Sequence, residues 1–421
     1  MADTDLETEP RRDWSGGGHE VVVVGARCAG AATAMLLARQ GHDVLVVDRV
    51  SFPSDTLSTH AIARGGVVQL ARWGLLDAVV DSGAPPIRTV TFHFGDGSVM
   101  RRAVKDRAGV DLLVAPRRHV LDPILLSAAI EDGAEYAGGL TVTGVATDRS
   151  GRVLGVEARA RNGRRLRIPA AFVVGADGVH SRIARAVGAR VVDQRPSDAA
   201  AHYTYVAGLD WEGFEFHVGP GAFAGVFPTH GGEANVWVCC PAAVALPDTT
   251  DTTSTSDTTG PAPGARRTAA FLSLLERAAP SLAERVRAAR ITAPVRSAAR
   301  LPNHVRAAAG RGWALVGDAG YHRDPITGHG ITDAFRDAEL LAGPLGRALR
   351  GELSERAALR SYAHQRDRAL APIFDVTCQL AAFPPADEFA ELQKQLSVLL
   401  DEEATELAAL PPIHAAEAVV A

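Results

Sequence analysis

Short apolar runs alternate with a helical pattern near the start of the chain. VVVVG at 21–25 is typical of a buried parallel strand, and DVLVVD at 43–48 indicates a second one. Between them, AGAATAMLLARQG predicts a helix that ends at Gly41. The three segments therefore predict a complete βαβ unit. Similar apolar runs return in AAFVVGADG, which ends at Gly178, and in WALVGDAG at 313–320.

A different pattern fills the middle of the chain, where apolar and polar residues alternate. The segments TVTFHF, AHYTYVAGL, FEFHV and ANVWVCC are typical of strands in an antiparallel sheet. Beyond residue 345 the sequence is rich in Ala, Leu and Glu and predicts helices. The pattern thus predicts one parallel sheet, one antiparallel sheet and C-terminal helices.

Composition narrows the classes of function. The 421 residues are 47% hydrophobic and 22% charged, with a formal net charge of -5, so neither a basic stripe for nucleic acid nor a polybasic membrane anchor is expected. The acidic start MADTDLETEP does not resemble a secretory signal, and we expect a cytoplasmic protein. The four cysteines lack the C-x-x-C spacing of a zinc site, so no metal is predicted.

The first motif carrying chemistry is the turn between the first strand and helix, Gly25-Ala26-Arg27-Cys28-Ala29-Gly30. Gly25 permits a tight turn, the helix N-terminus suits a pyrophosphate, and Asp48 is expected to accept hydrogen bonds from a ribose. Arg27 stands where the middle glycine of G-x-G-x-x-G normally lies, and its guanidinium could pair with the pyrophosphate.

Two later turns complete the pattern. They are GADGVHSR at 175–182 and GDAGYHRDPITGHGITDAFRDAELLA at 317–342. Together with the first turn they resemble the three fingerprints of the group A flavoprotein monooxygenases, the para-hydroxybenzoate hydroxylase superfamily, which also holds flavin halogenases and geranylgeranyl-type reductases. Singly each turn is a weak signal, whereas their order and spacing make a strong one.

The resemblance implies FAD as the cofactor and assigns residues to it. Asp318 would bind the ribityl chain, Asp177 would lie in a turn beside the pyrophosphate, and Arg118 would face the pyrophosphate or ribose. The turn that begins at Pro325 would offer backbone N–H groups to the pyrimidine edge of the flavin, where negative charge develops on reduction. The residues predicted for that edge are Gly328, His329, Gly330 and Ile331, and Arg49 is assigned to the same cofactor.

The resemblance also gives the predicted domains their boundaries. The fold class is α/β, with a Rossmann-like FAD-binding domain on a parallel sheet, an antiparallel-sheet substrate domain and C-terminal helices. The polar segments 1–18 and 249–265 are predicted to be disordered. The FAD-binding domain is expected at 19–85, 105–190 and 300–345, the substrate domain at 86–104 and 191–299, and the helical region at 346–421.

The resemblance implies a monooxygenase of the hydroxylase or epoxidase type, working through a C4a-hydroperoxyflavin with NADPH or NADH as electron donor. Molecular oxygen and an aromatic or hydrophobic small molecule would be its substrates, and the protein would be a monomer or homodimer. Thr59 and His60 lie where members of the family bring a loop past the flavin ring, so both are candidate catalytic residues. His60 could equally be a packing residue.

The aromatic and histidine side chains of the middle segment are mostly expected to fill the core, with some lining a substrate cavity. They are Tyr203, Tyr205, His217, Phe223, Phe227, His230 and Trp237.

Three alternatives stay open. A halogenase would need a lysine beside the flavin, and Lys105 and Lys394 both lie in unsuitable segments. A reductase of the geranylgeranyl type is closer, because FAGVFP at 223–228 loosely resembles a segment of that subgroup, although Gly225 replaces its tryptophan. A flavin-binding protein without turnover is the third alternative.

Overall fold

The computed structural model of the chain describes residues 17–50, 52–246 and 263–413. Most of the two segments predicted to be disordered, 1–18 and 249–265, therefore lies outside the described residues. The end of the second segment differs from the prediction, because a helix begins at Pro263. Pro is favourable in the first turn of a helix, where its missing N–H leaves no hydrogen bond unmade.

The strands are β1 (His19–Val24), β2 (Val44–Val47), β3 (Thr89–Phe94), β4 (Val99–Ala103), β5 (Glu135–Ala137), β6 (Leu140–Thr147), β7 (Val153–Ala160), β8 (Arg165–Gly175), β9 (Val191–Arg195), β10 (Ala199–Ala207), β11 (Phe214–Gly219), β12 (Ala222–Pro228), β13 (Glu233–Pro241), β14 (Arg290–Ile291), β15 (Arg296–Ala299), β16 (Asn303–Arg306), β17 (Ala309–Gly310), β18 (Trp313–Leu315) and β19 (Tyr321–His322). The α-helices are α1 (Cys28–Ala38), α2 (Arg64–Arg72), α3 (Leu76–Asp81), α4 (Arg118–Glu131), α5 (Arg182–Ala186), α6 (Pro263–Ala278), α7 (Pro280–Ala288), α8 (Gly330–Leu349), α9 (Glu355–Leu380) and α10 (Ala386–Ala408).

The first sheet confirms the predicted βαβ unit. Its central strands run in the order β17-β18-β8-β1-β2-β5, and β1 pairs in parallel with both β2 and β8. The run Val21–Val24 is buried on both faces, because Val21 and Val23 pack into one hydrophobic cluster while Val22 and Val24 pack into another. A parallel strand covered on both sides needs such a continuous apolar run rather than alternation.

The second sheet holds the alternating segments, in the order β14-β10-β13-β12-β11-β3-β4. Its pairs are antiparallel except for β3 and β11, which run parallel, so the predicted antiparallel sheet contains one parallel pair. One face carries Phe223 and Trp237, and the opposite face carries Val236 and Val238 against α6 and α7. A small third sheet has the order β19-β16-β9.

The last two helices pack across the aromatic face of the second sheet. Phe389 of α10 lies 5.3 Å from the ring of Phe223, and Ile373 and Leu380 of α9 belong to the same buried cluster. No helix in the parts of the chain that the structure describes is long and apolar enough to cross a membrane. The predicted fold class, a parallel sheet with a second antiparallel sheet and C-terminal helices, is confirmed.

Candidate functional site

A cavity of about 730 Å³ brings the three predicted turns together. Gly25, Asp177 and Asp318, which are far apart in the sequence, all line it. Parallel strands β1 and β8 end at the same edge of the first sheet, so the turns that follow them meet there. The volume lies in the usual range for ligand sites, roughly 300–1,000 Å³.

Most of the predicted site residues line this cavity. They are Gly25, Arg27, Cys28, Ala29, Asp48, Arg49, Thr59, His60, Arg118, Asp177, Asp318, Pro325, Gly328, His329, Gly330 and Ile331. Ala26 and Gly30 do not line it, because both lie behind the first turn: Ala26 is buried and donates its N–H to Asp48 at 2.8 Å. A Cβ at Gly30 would lie 1.7 Å from the carbonyl oxygen of Gly25, so α1 approaches the turn too closely for any side chain.

The N-terminus of α1 faces the cavity with two guanidinium groups beside it. Arg118 binds the carboxylate of Asp122 with two hydrogen bonds of 2.8 and 3.1 Å, and Arg27 reaches the same carboxylate at 3.3 Å. The side chain of Asp122 is 0% exposed, so one buried anion is shared between two cations. The surplus positive charge, added to the backbone N–H groups that begin α1, favours an anion such as a pyrophosphate.

The carboxylates of Asp48 and Asp177 both accept hydrogen bonds from backbone N–H groups. Asp48 accepts from Ala26 N and from Val50 N at 2.8 and 2.9 Å, which leaves lone pairs for a further donor. Asp177 accepts from the N–H groups of Arg182 and Ile183 at 2.6 and 3.2 Å. Asp177 therefore fixes the first turn of α5 at the wall of the cavity.

Asp318 belongs to the third turn and lines the cavity together with residues of the first turn. The Asp318 side chain is exposed to the cavity. The surrounding protein raises the pKa of its carboxyl above the usual value, chiefly by desolvation. The preceding Gly317 donates its N–H to Asp337 at 2.9 Å, which fixes the backbone of the turn. A carboxylate held in this way can accept hydrogen bonds from hydroxyl groups in the cavity.

Thr59 and His60 lie at the end of the cavity next to the second sheet. His60 has φ of +71°, an uncommon conformation for a residue with a side chain, and its ring is buried. Its Nε2 makes a short hydrogen bond with the hydroxyl of Tyr205, and the two rings stack with centroids 5.7 Å apart. Burial and then the charge of Arg117 lower the pKa of His60 well below its usual value, so the ring is neutral at pH 7.

Of the middle-segment side chains named from the sequence, Tyr203 lines the cavity. Its hydroxyl accepts from Ser58 N at 3.2 Å. Tyr205, Phe223, Phe227 and Trp237 are part of the packed core, as expected for most of this set. His230 binds Ser82 and Arg117 N, and His217 lies on the other side of the sheet from the aromatic cluster.

Sequence reasoning missed a buried ionic cluster beneath the third turn. Arg323 binds Asp333 at 2.5 Å, Arg336 binds Glu403 at 2.5 Å, and Glu403 also lies 2.8 Å from Nε2 of His329. Burial raises the pKa of Asp333, but Arg323 and Arg336 outweigh it and hold that pKa at about 2. The motif GITDAFRDAE contains Asp333 and Arg336 three residues apart, which is the signal that could have indicated the pair.

Two groups of His and acidic residues among the described residues lie close enough together to hold a metal ion. One is His329, Asp333 and Glu403, whose carboxylates already bind arginines. The other is His93, Glu215 and His217, where Arg285 occupies both oxygens of Glu215. The rings of His93 and His217 are parallel within 6°, so their lone pairs do not converge on one point. The absence of a metal stays a prediction.

The shape of the cavity formed by the three turns suits a dinucleotide. Gly25 has φ of +106°, and a Cβ there would lie 2.4 Å from the carbonyl oxygen of Ala176, so the first two turns touch through backbone alone. The guanidinium groups of Arg27 and Arg118 can bind phosphates. On either side of this arginine pair, the carboxylates of Asp48 and Asp318 can accept hydrogen bonds from hydroxyl groups. These residues match what FAD presents along its length.

Comparison with known proteins agrees with this geometry. Residues 19–377 match the family described as FAD binding domain. The chain is 25% identical to a digeranylgeranylglycerophospholipid reductase of Methanocella arvoryzae, covering 83% of each protein, and 28% identical to a menaquinone reductase of Mycolicibacterium smegmatis, covering 77% of this chain and 75% of that one. The structure of PqsL from Pseudomonas aeruginosa, a probable FAD-dependent monooxygenase, superposes with a TM-score of 0.74 over 90% of this chain and all of that one, at 22% identity.

The family match covers most of the chain and contains all three turns that line the cavity. The resemblance predicted from the three turns is therefore confirmed. The chain belongs to the FAD-binding family of oxidoreductases, and its fold is also that of PqsL and of the flavin halogenase CndH.

Proposed function

We propose that this flavoprotein is an NAD(P)H-dependent monooxygenase that oxidises a compact hydrophobic or aromatic molecule bearing a polar group. The observation that carries the proposal is the buried pair of His60 and Tyr205 at the cavity end next to the second sheet. Hydrogen-bonding groups buried at a binding site select ligands that can satisfy them. A plain hydrocarbon chain offers them nothing.

The cofactor placement follows the residues along the cavity. Asp48 and Arg49 would hold the adenosine end, Arg27 and Arg118 the pyrophosphate, and Asp318 the ribityl hydroxyls. Thr59 and the turn Gly328–Ile331 would border the flavin ring. Reduced FAD supplies the electrons that activate oxygen, and the protein orients the substrate and keeps water out.

His60 is proposed to orient the substrate rather than to carry charge. Because the ring is neutral at pH 7 and its Nε2 is engaged with Tyr205, Nδ1 is the atom left to bind a substrate hydroxyl. The Nδ1 atom is buried without a hydrogen-bond partner among the described residues. A hydrogen-bond donor on the substrate would bind this nitrogen, and that hydrogen bond would fix the position of the substrate's polar group in the cavity.

The aromatic core argues for a compact substrate. Phe223 and Trp237 have centroids 5.1 Å apart, and Phe389 of α10 covers Phe223 from the other side. Gly225 lies on β12, between β13 and β11, and has no room for a larger side chain because a Cβ would lie 2.4 Å from Trp237. This face of the sheet is filled by protein side chains, and a long prenyl chain would have to displace them.

Reduction of isoprenoid double bonds is the second candidate. It is favoured by the curated relatives, two of which are a digeranylgeranylglycerophospholipid reductase and a menaquinone reductase. For that reaction the reduced FAD held by these residues would supply a hydride equivalent, the double bond would also take up one proton, and no oxygen would be consumed. Protein of this family that holds FAD but turns over neither kind of substrate would be the non-catalytic alternative.

One set of measurements separates these candidates. Anaerobic stopped-flow mixing with NADPH and with NADH gives the rate of flavin reduction and identifies the donor. Oxygen uptake is then measured with aromatic compounds and with a geranylgeranylated lipid as candidate substrates, and the masses of the products are determined by mass spectrometry. A gain of one oxygen atom supports monooxygenation. A gain of two hydrogens under anaerobic conditions transfers the assignment to the reductase, and a flavin never reduced by either nucleotide implies a separate reductase partner.

A further inference from the structure

Helix α10 lies beyond the family match, which ends at residue 377, yet it reaches the third turn of the cavity. Its Glu403 has a side chain only 7% exposed. One carboxylate oxygen accepts from Arg336 at 2.5 Å, and the other lies 2.8 Å from Nε2 of His329. A part of the chain outside the family match therefore contributes a charge to the candidate cofactor site.

His329 connects this carboxylate to the cavity. It precedes α8 as the N-cap residue and lines the cavity, and its side chain is 0% exposed. Its Nδ1 has no hydrogen-bond partner among the described residues. The other ring nitrogen, Nε2, lies 2.8 Å from Glu403 without hydrogen-bond geometry, so Glu403 packs against one edge of the ring while the backbone of His329 belongs to the turn that borders the cavity.

Glu403 adds a carboxylate to a buried cluster that already holds two guanidinium groups and the carboxylates of Asp333 and Asp337. Arg323 and Arg336 are buried cations, and Asp333 is the buried anion that touches both. Glu403 is the carboxylate that lies nearest to Arg336, at 2.5 Å, whereas Asp333 lies 2.9 Å and Asp337 3.8 Å away. His329 and Arg336 lower the pKa of Glu403 despite the opposing effect of burial, so the carboxylate is ionised at neutral pH. Without Glu403, the buried guanidinium of Arg336 beneath the N-terminus of α8 would lose its nearest anion.

We propose that α10 is a working part of the flavin site and that Glu403 is a positioning residue for it. Through His329 and Arg336 it fixes the turn Pro325–Gly330 and the N-terminus of α8, and it sets the local charge that the pyrimidine edge of the flavin meets. The inference rests on the cofactor placement proposed above, and it holds for either the oxygenase or the reductase reaction.

The helix is anchored independently of Glu403, which makes the idea testable by substitution. Asp401 forms an ion pair with Arg64 of α2, Phe389 packs on Phe223, and Leu392 and Leu396 are buried in the core of the second sheet. Replacing Glu403 by Gln keeps the shape and two hydrogen-bonding atoms but removes the charge. The helix is therefore expected to stay docked.

The experiment compares purified Glu403→Gln, Glu403→Leu and a control, Glu402→Gln, which changes an exposed residue one position earlier on the same helix. FAD is the probe. We expect its Kd to rise on the order of tenfold for Glu403→Gln, the size of a typical coupling between neighbouring sites, and further for Glu403→Leu. We also expect the flavin absorption bands to shift, and the midpoint potential to become more positive because a nearby anion is lost.

Each outcome decides the matter. If Glu403→Gln matches the control in Kd, spectrum and potential, the proposal is overturned. If Glu403→Leu unfolds, the Gln variant and its potential still give the answer, since loss of stability alone does not move the potential of the flavin that remains bound. If the unaltered protein takes up no FAD, the cofactor placement fails instead, which is a different result from an unchanged Glu403 variant.

Discussion

Arg27 reaches the carboxylate of Asp122, 95 positions further along the chain, at the point where α1 begins. Its other terminal nitrogen donates to Ser54 Oγ at 3.1 Å. The residue that replaces the expected middle glycine is thus held over the helix N-terminus, not turned out to solvent. Under the proposed cofactor placement, the pyrophosphate would lose close backbone approach at this position but would gain a guanidinium.

Removal of that guanidinium is expected to weaken FAD binding. For Arg27→Ala we predict that the FAD Kd rises about tenfold, on the order of 1.4 kcal/mol, and that the binding becomes less sensitive to salt. Fluorescence titration at two ionic strengths measures both. Arg39→Ala is the matched control, since Arg39 lies at the other end of α1 and pairs with Asp132 away from the cavity. Equal Kd values for the two variants would remove Arg27 from the site.

The sequence predicted the three turns because each combines a buried parallel strand with glycines whose spacing is set by backbone contact. Gly25 and Gly30 are examples, since both positions leave no room for a Cβ. Contacts between distant side chains left no such pattern. Tyr205 meets His60 from 145 positions away, and Glu403 meets Arg336 from 67 positions away. Tertiary packing of distant elements brings these side chains together, and no local periodicity encodes that packing.

The ring of His60 is proposed to orient the substrate and its backbone has φ of +71°, and two substitutions separate the two effects. Glycine adopts φ near +71° freely, whereas alanine does not, so His60→Gly is expected to be more stable than His60→Ala by about 1 kcal/mol. Urea unfolding measures the difference. Both variants lack the ring, so product formation is expected to fall by the same factor in each while FAD stays bound. Equal stabilities would mean that the backbone at His60 relaxes on substitution.

Asp324 is predicted to make stability depend on pH. Burial raises the pKa of its carboxyl to about 6, whereas an unfolded aspartate releases its proton near pH 3.9, at about its ordinary pKa. Between these values the folded chain binds more protons than the unfolded one, so the contribution of Asp324 to stability falls as pH rises and levels off above about pH 6.

The variant Asp324→Asn keeps an acceptor for the N–H of Ile326, which now donates to Asp324 at 3.0 Å, but it cannot ionise. We expect it to match the unaltered protein near pH 4 and to be more stable near pH 8 by up to about 3 kcal/mol. Denaturant unfolding at the two pH values measures the gap. A gap that is constant with pH, or that widens toward acid, would contradict the assignment.

The close approach of α1 to the first turn gives the most severe prediction. A Cβ at Gly30 would lie 1.7 Å from the carbonyl oxygen of Gly25 and 3.2 Å from the Cβ of Ala176, and neither neighbour is a flexible side chain that could move aside. Gly30→Ala must therefore push α1 away from β1 and is expected to cost about 3 kcal/mol in the free energy of unfolding and to abolish FAD uptake. Gly264→Ala, in the first turn of α6 with open space around it, should change stability by less than about 0.5 kcal/mol. Retention of FAD by Gly30→Ala would mean that the turn tolerates a wider helix position, and the pyrophosphate would then lie further from the N-terminus of α1 than proposed.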